Sequence, residues 1–125
     1  MIAGIGIDVV SIERMRVAIA RHAGRFERRI LSDAEREQIA DRADQAEAVA
    51  GRFAAKEAAF KALGGPGGVS WREIQVLREP SGAPRIEWSG AAATCVRRLG
   101  NTRTFVSLTH DAGVAAAVVV LETLP

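Results

Sequence analysis

The segment Arg52-Phe-Ala-Ala-Lys-Glu-Ala-Ala-Phe-Lys61 gathers four charged side chains, Arg52, Lys56, Glu57 and Lys61, that could carry chemistry. Read as a helix, it sets Glu57 and Lys61 four residues apart on one face, and Arg52 and Lys56 four apart on another flank. Such a Glu–Lys pair is ordinary on helices. The same charges could instead carry chemistry. The helix by itself leaves both readings open. Phe53 and Phe60 fill the stripe between the flanks and are expected to face the core. Alanines at 54, 55, 58, 59 and 62 let another backbone or a ligand approach closely.

A second carboxylate stands near the start of the chain. Residues 2–10 read as a buried strand, with Ala3, Ile5, Ile7 and Val9 on one face and Gly4, Gly6 and Asp8 on the other. The two glycines keep the Asp8 face open to close approach. Asp8 there is either a site residue or a plain turn and capping residue. His110, after Ser107-Leu-Thr109, is expected in a turn at a strand end, and Cys95 is expected as an inert thiol on a helix.

The elements that must position these groups follow from local signals. Ser11 can cap a helix running to Arg21 or beyond, with Gly24 able to end or bend it. On a continuous wheel, Arg14, Arg21, Arg25 and Arg28 fall within about 60° of one another, beside an apolar stripe of Met15, Ile19, His22 and Phe26. Six arginines between residues 11 and 30, against only Glu13 and Glu27, favour an acidic partner, although a solvated face is the simpler account. Ser32-Asp-Ala-Glu35 is a capping box that predicts a helix from Asp33. The next helix spans about 46–63 and ends at Gly64-Gly-Pro-Gly-Gly68, which lacks P-loop spacing. Strands are predicted over 71–77 and 85–88, joined by the turn 80–84. A helix follows over 89–99, and two last strands, 104–109 and 113–121, are joined by a turn at 110–113. This order, without regular α/β interleaving, predicts an α+β fold with an antiparallel sheet, packed helices and a single domain over 1–125.

Taken together, Gly-Ile-Gly-Ile-Asp-Val-Val at 4–10, Gly-Arg-Phe-Ala-Ala-Lys-Glu-Ala at 51–58 with Lys61-Ala-Leu-Gly64, and Ser-Leu-Thr-His at 107–110 resemble the holo-acyl-carrier-protein synthases. These are the small stand-alone group of the 4′-phosphopantetheinyl transferase superfamily. The resemblance implies that superfamily's fold and the transfer of 4′-phosphopantetheine from coenzyme A to a serine of acyl carrier protein. It implies Mg²⁺ held by Asp8 and Glu57, with Glu57 and Lys61 catalytic. Lys61 is the foremost phosphate contact, and Arg52, Lys56 and His110 are further candidates for the pyrophosphate or 3′-phosphate. Arg14, Arg21 and Arg25, with Met15 and Phe26, would dock the carrier. The proton acceptor for the serine is left open between Glu57 and a metal-bound water. A homotrimer with active sites at subunit interfaces is implied as well. Thr109 stands where serine is commoner in the family, and the loop at 64–68 is unusually rich in glycine.

Bulk properties agree. The 125 residues, 48% hydrophobic and 26% charged, fit a soluble globular domain. The apolar run at 114–121 is far short of the roughly 20 residues of a membrane span. The N-terminus has no basic stretch ahead of its apolar residues and reads as no signal peptide. One cysteine excludes an internal disulfide and fits a reducing cytoplasm. Two Trp, four Phe and no Tyr supply few stacking platforms, which argues against a nucleic-acid-binding module built on the arginine row.

Overall fold

A computed structural model describes residues Met1–Pro125. Strand β1 (Ile2–Ser11) opens the chain, followed by helices α1 (Ile12–His22), α2 (Arg25–Ile30), α3 (Asp33–Ile39) and α4 (Gln45–Ala62). A single 3-10 turn (Trp71–Glu73) leads into β2 (Ile74–Arg78) and β3 (Pro84–Trp88). Helix α5 (Gly90–Arg98) and the hairpin β4 (Thr102–Asp111) and β5 (Val114–Thr123) complete the chain. The α+β class and antiparallel pairing are as expected. The strands form two sheets, β1-β5-β4 and β2-β3.

Three boundaries differ from the sequence expectation, each for a local reason. The first basic helix is two helices, because Ala23 and Gly24 both adopt left-handed backbone (φ 46 and 85) and break the ladder. The arginines at 14 and 21 therefore do not share one wheel with Arg25 and Arg28. Trp71–Glu73 coils into a 3-10 turn because Ser70 and Glu73 form their own capping box. The last hairpin turns on Ala112 and Gly113, both at positive φ, so His110 lies within β4 rather than in the turn.

Helix α4 is the axle of the molecule. Asp44 caps it, accepting from the Glu47 N–H at 3.0 Å. Its alanines 54, 55, 58 and 59 are fully buried and pack with Val119 and Leu121 of β5 and Ile74 and Val76 of β2. Gly4 and Gly6 of β1 lie under this helix; a Cβ on either would run into the carbonyl oxygens of Ala62 or Ala58. That contact explains the two glycines: only a residue without a side chain lets the strand reach the helix backbone. The opposite face of β1 corrects the expectation of a buried strand. Ile5, Ile7 and Val9 are 66%, 64% and 60% exposed.

Candidate active site

Sequence position 8 and helix α4 meet because Gly4, Gly6 and Asp8 all point from β1 toward that helix. Lys61 Nζ donates to Asp8 Oδ1 at 3.1 Å and to the Ile7 carbonyl at 3.0 Å. Glu57 stands one helical turn before Lys61 on the same face. Burial, and then the charge of Asp8, push the Glu57 carboxyl above its ordinary value, with Lys61 opposing. Two carboxylates on separate elements that repel each other, with one ammonium between elements, form an oxygen-only donor set. That chemistry suits Mg²⁺, which takes few protein ligands and completes its shell with water and substrate phosphate.

Asp8 and Glu57 border a groove of about 360 Å³ whose other walls include Ser11, Arg14, Met15, Phe26 and Phe53. The expected docking residues Arg14 and Phe26 are thus brought to the carboxylates. Arg21 and Arg25 are exposed further along the same basic end. Met15 departs from expectation: at 4% exposure it belongs to the core and forms the floor of the groove, not a protruding contact. Phe53, expected as pure core, is half-buried and lines the groove while packing edge-on against Trp71 at 5.5 Å.

Arg52, Lys56 and His110 do not join this groove. Lys56 is wholly buried and donates to Glu35 Oε1 at 2.7 Å, to the Trp71 carbonyl at 2.9 Å and to the Ile74 carbonyl. Burial lowers its ammonium to about 8, against the pull of Glu35. Every one of its donors is committed inside the protein, so the expectation of a phosphate contact does not fit it. Glu35, read from sequence only as a cap, accepts from the N–H groups of Ser32 and Val76 as well, and so ties α3, α4 and β2 together.

Arg52 and His110 line a second cavity of about 240 Å³, with Arg42, Glu47, Gly51, Arg78 and Thr109. Arg52 is 3% exposed, and its Nε is buried without a partner. Burial, then the nearby Arg78 charge, lower its guanidinium to about 10, with Glu35 opposing. A desolvated guanidinium with an unused donor, among further arginines, is an anion site by its physics. Glu47 bridges part of this charge, lying 3.6 Å from Arg42 and 3.4 Å from His110. Arg42 and Arg78 carried no signal in the sequence, since each is a lone arginine in a polar or strand segment; only the fold converges them.

The two cavities flank α4. Asp8 lies opposite Ala117, which pairs onward with Leu108, and His110 sits two pairs beyond on the far edge strand. They are separated by the width of the sheet, roughly 10 Å.

Comparison with known proteins agrees with these features. The profile of the 4′-phosphopantetheinyl transferase superfamily matches residues 4–119. A holo-[acyl-carrier-protein] synthase of Anaeromyxobacter sp. (strain K) is 48% identical over 125 residues, covering 98% of this chain and 97% of that protein. The crystal structure of the holo-[acyl-carrier-protein] synthase from Neisseria meningitidis superposes with a TM-score of 0.90 at 32% identity, over 98% of this chain and 100% of that one. The Helicobacter pylori enzyme, solved in complex with coenzyme A, superposes with a TM-score of 0.82 at 36% identity, over 94% and 99% of the two chains. With its motifs, its helix-on-sheet fold and nearly its whole length in common with these proteins, the chain belongs to the holo-[acyl-carrier-protein] synthase family of the 4′-phosphopantetheinyl transferase superfamily.

Proposed function

We propose that this enzyme transfers 4′-phosphopantetheine from coenzyme A to a serine of apo acyl carrier protein, with Mg²⁺ held by Asp8 and Glu57. The observation that carries the reading is the shared groove: the paired carboxylates and the basic, apolar-floored end of α1 open onto one space. A carrier whose acidic helix docks on Arg14, Arg21 and Arg25 beside Phe26 would present its serine to Asp8 and Glu57.

In the reaction the serine Oγ forms a bond to the β-phosphorus of coenzyme A. The bond from that phosphorus to the bridging oxygen breaks, and adenosine 3′,5′-bisphosphate leaves with the electron pair. Mg²⁺ held by Asp8 and Glu57 would supply positive charge to the reacting phosphate. Lys61 adds a mobile ammonium to the same oxygens, since its side chain is exposed and reaches the Asp8 edge. Burial and the Asp8 charge raise the Glu57 carboxyl, and Glu57 or a metal-bound water would take the serine proton. The arginine cavity around Arg52 and His110 suits the other end of coenzyme A, where the 3′-phosphomonoester carries the densest charge.

One subunit holds these two cavities on opposite flanks of α4. Sites assembled between subunits would let the carboxylates of one copy face the arginines of another. The bare apolar row of Ile5, Ile7 and Val9, continued by Phe105 on β4, supports the same homotrimeric assembly. We read residues 1–125 as one transferase domain acting in the cytoplasm and serving fatty acid biosynthesis. No helix is long and apolar enough to cross a membrane.

The deciding experiment is mass spectrometry of apo acyl carrier protein after incubation with this protein, coenzyme A and Mg²⁺. A mass gain of one phosphopantetheine on the carrier serine is expected. An unmodified carrier under those conditions overturns the proposal.

A further inference from the structure

We propose that Lys61 is a built-in counter-ion of Asp8 that competes with the divalent cation for this carboxylate and is displaced by metal and substrate together. The inference rests on the reading of Asp8 and Glu57 as metal ligands and deepens it.

The geometry is specific. Lys61 Nζ makes two hydrogen bonds, both to β1: Asp8 Oδ1 at 3.1 Å and the Ile7 carbonyl at 3.0 Å. Each acceptor is an oxygen, and one belongs to a residue assigned to the metal. Asp8 has no other side-chain partner, and its carboxylate is mostly covered, at 18% exposure, whereas the lysine is 52% exposed. A mostly covered carboxylate beside the Glu57 carboxyl favours a positive charge nearby, and Lys61 is the cation hydrogen-bonded to it. The lysine side chain can swing away at modest cost, because it is half exposed and its stem is flexible.

A divalent cation at Asp8 and an ammonium 3 Å from the same oxygen repel each other, so metal entry releases Lys61 from β1. The released amine then meets the next available anion, the pyrophosphate. Lys61 therefore opposes metal binding to the empty protein and favours substrate binding to the metal-loaded one. This makes the bare site a weak scavenger of free metal and ties metal occupancy to coenzyme A. A lysine that merely tethered β1 to α4 would act with the same sign on both ligands, since its loss would loosen Asp8 for each.

Removal of Lys61 separates the alternatives. Free Mn²⁺ is followed by electron paramagnetic resonance as it titrates the full-length protein without coenzyme A, in the wild type, Lys61→Met, Lys61→Arg and Asp8→Asn. Coenzyme A binding is then measured calorimetrically at saturating Mn²⁺. Lys61→Met is expected to bind Mn²⁺ roughly two- to tenfold more tightly, in keeping with the loss of one partly exposed competing charge. It is expected to bind coenzyme A more weakly, while Lys61→Arg keeps Mn²⁺ affinity near that of the wild type. Unchanged or weaker Mn²⁺ binding by Lys61→Met overturns the counter-ion role. If Asp8→Asn binds Mn²⁺ as well as the wild type does, or if no form binds it, the metal assignment itself falls, and the inference with it.

Discussion

Lys56 and Lys61 stand five residues apart on one helix, and each meets a carboxylate from another element. The Lys56–Glu35 pair, at 2.7 Å, is fully buried on both sides. In the Lys61–Asp8 pair, at 3.1 Å, Asp8 borders a groove and the lysine side chain is half exposed. Buried, the first has every donor used and can only hold α3, α4 and β2 in place. Exposed, the second retains the freedom to exchange partners. Side-chain type and pairing are alike; what separates a fastener from a working group is access to solvent and ligand.

That contrast can be broken from either end. Asp8→Ala or Glu57→Ala is expected to lower Mg²⁺-dependent labelling of acyl carrier protein by at least about a hundredfold, through lost charge stabilisation at the pyrophosphate. Denaturant unfolding of the same variants should shift by less than about 1 kcal/mol, because a pair whose lysine is half in water contributes little. Retained labelling in both variants would remove these residues from the metal site. Lys56→Met should do the reverse at the level of the fold. Leaving Glu35 buried and unpaired is expected to cost about 3–5 kcal/mol in urea unfolding, and adding Glu35→Leu should recover much of that loss. No change on Lys56→Met would end the fastener reading.

A third comparison extends the exposed side. Reversing Arg14 and Arg21 to glutamate should raise the KM for acyl carrier protein about tenfold or more, with coenzyme A binding nearly unchanged. Steady-state kinetics with each substrate varied in turn checks it, and an unaltered carrier KM would dismiss the docking role. The smallest effect concerns the cap of the shared helix. The Glu47 N–H holds the Asp44 carboxyl below its ordinary value of 3.8. A depressed carboxyl contributes stability above its unfolded value and loses it as pH falls through its folded one. Asp44→Asn should keep the cap while flattening the acid limb of melting temperature against pH below about 4; an unchanged limb would show that this cap does not titrate with unfolding.

The legible part of the site was the part written in local chemistry. The Asp8 strand with its two glycines, the capping box at Ser32 and the Glu57–Lys61 face of α4 all follow from spacing within a few residues. Lys56 was misread because a lysine in a helical motif carries no mark of burial; Glu35, its partner, is 21 residues away. Met15 was misread for the same reason, since its stripe names a face but not what covers it.

The amino-acid sequence by itself determined the α+β order, the helix that carries Glu57 and Lys61, and the strand that carries Asp8, because these depend on backbone periodicity and caps. Only the tertiary structure decided which charges work and which fasten. It buried Lys56, joined Asp8 to Lys61, and drew Arg42, Arg52 and Arg78 into one cavity. The reason is physical: what a charge does depends on the dielectric and the partners around it, and both are supplied by segments distant in the chain.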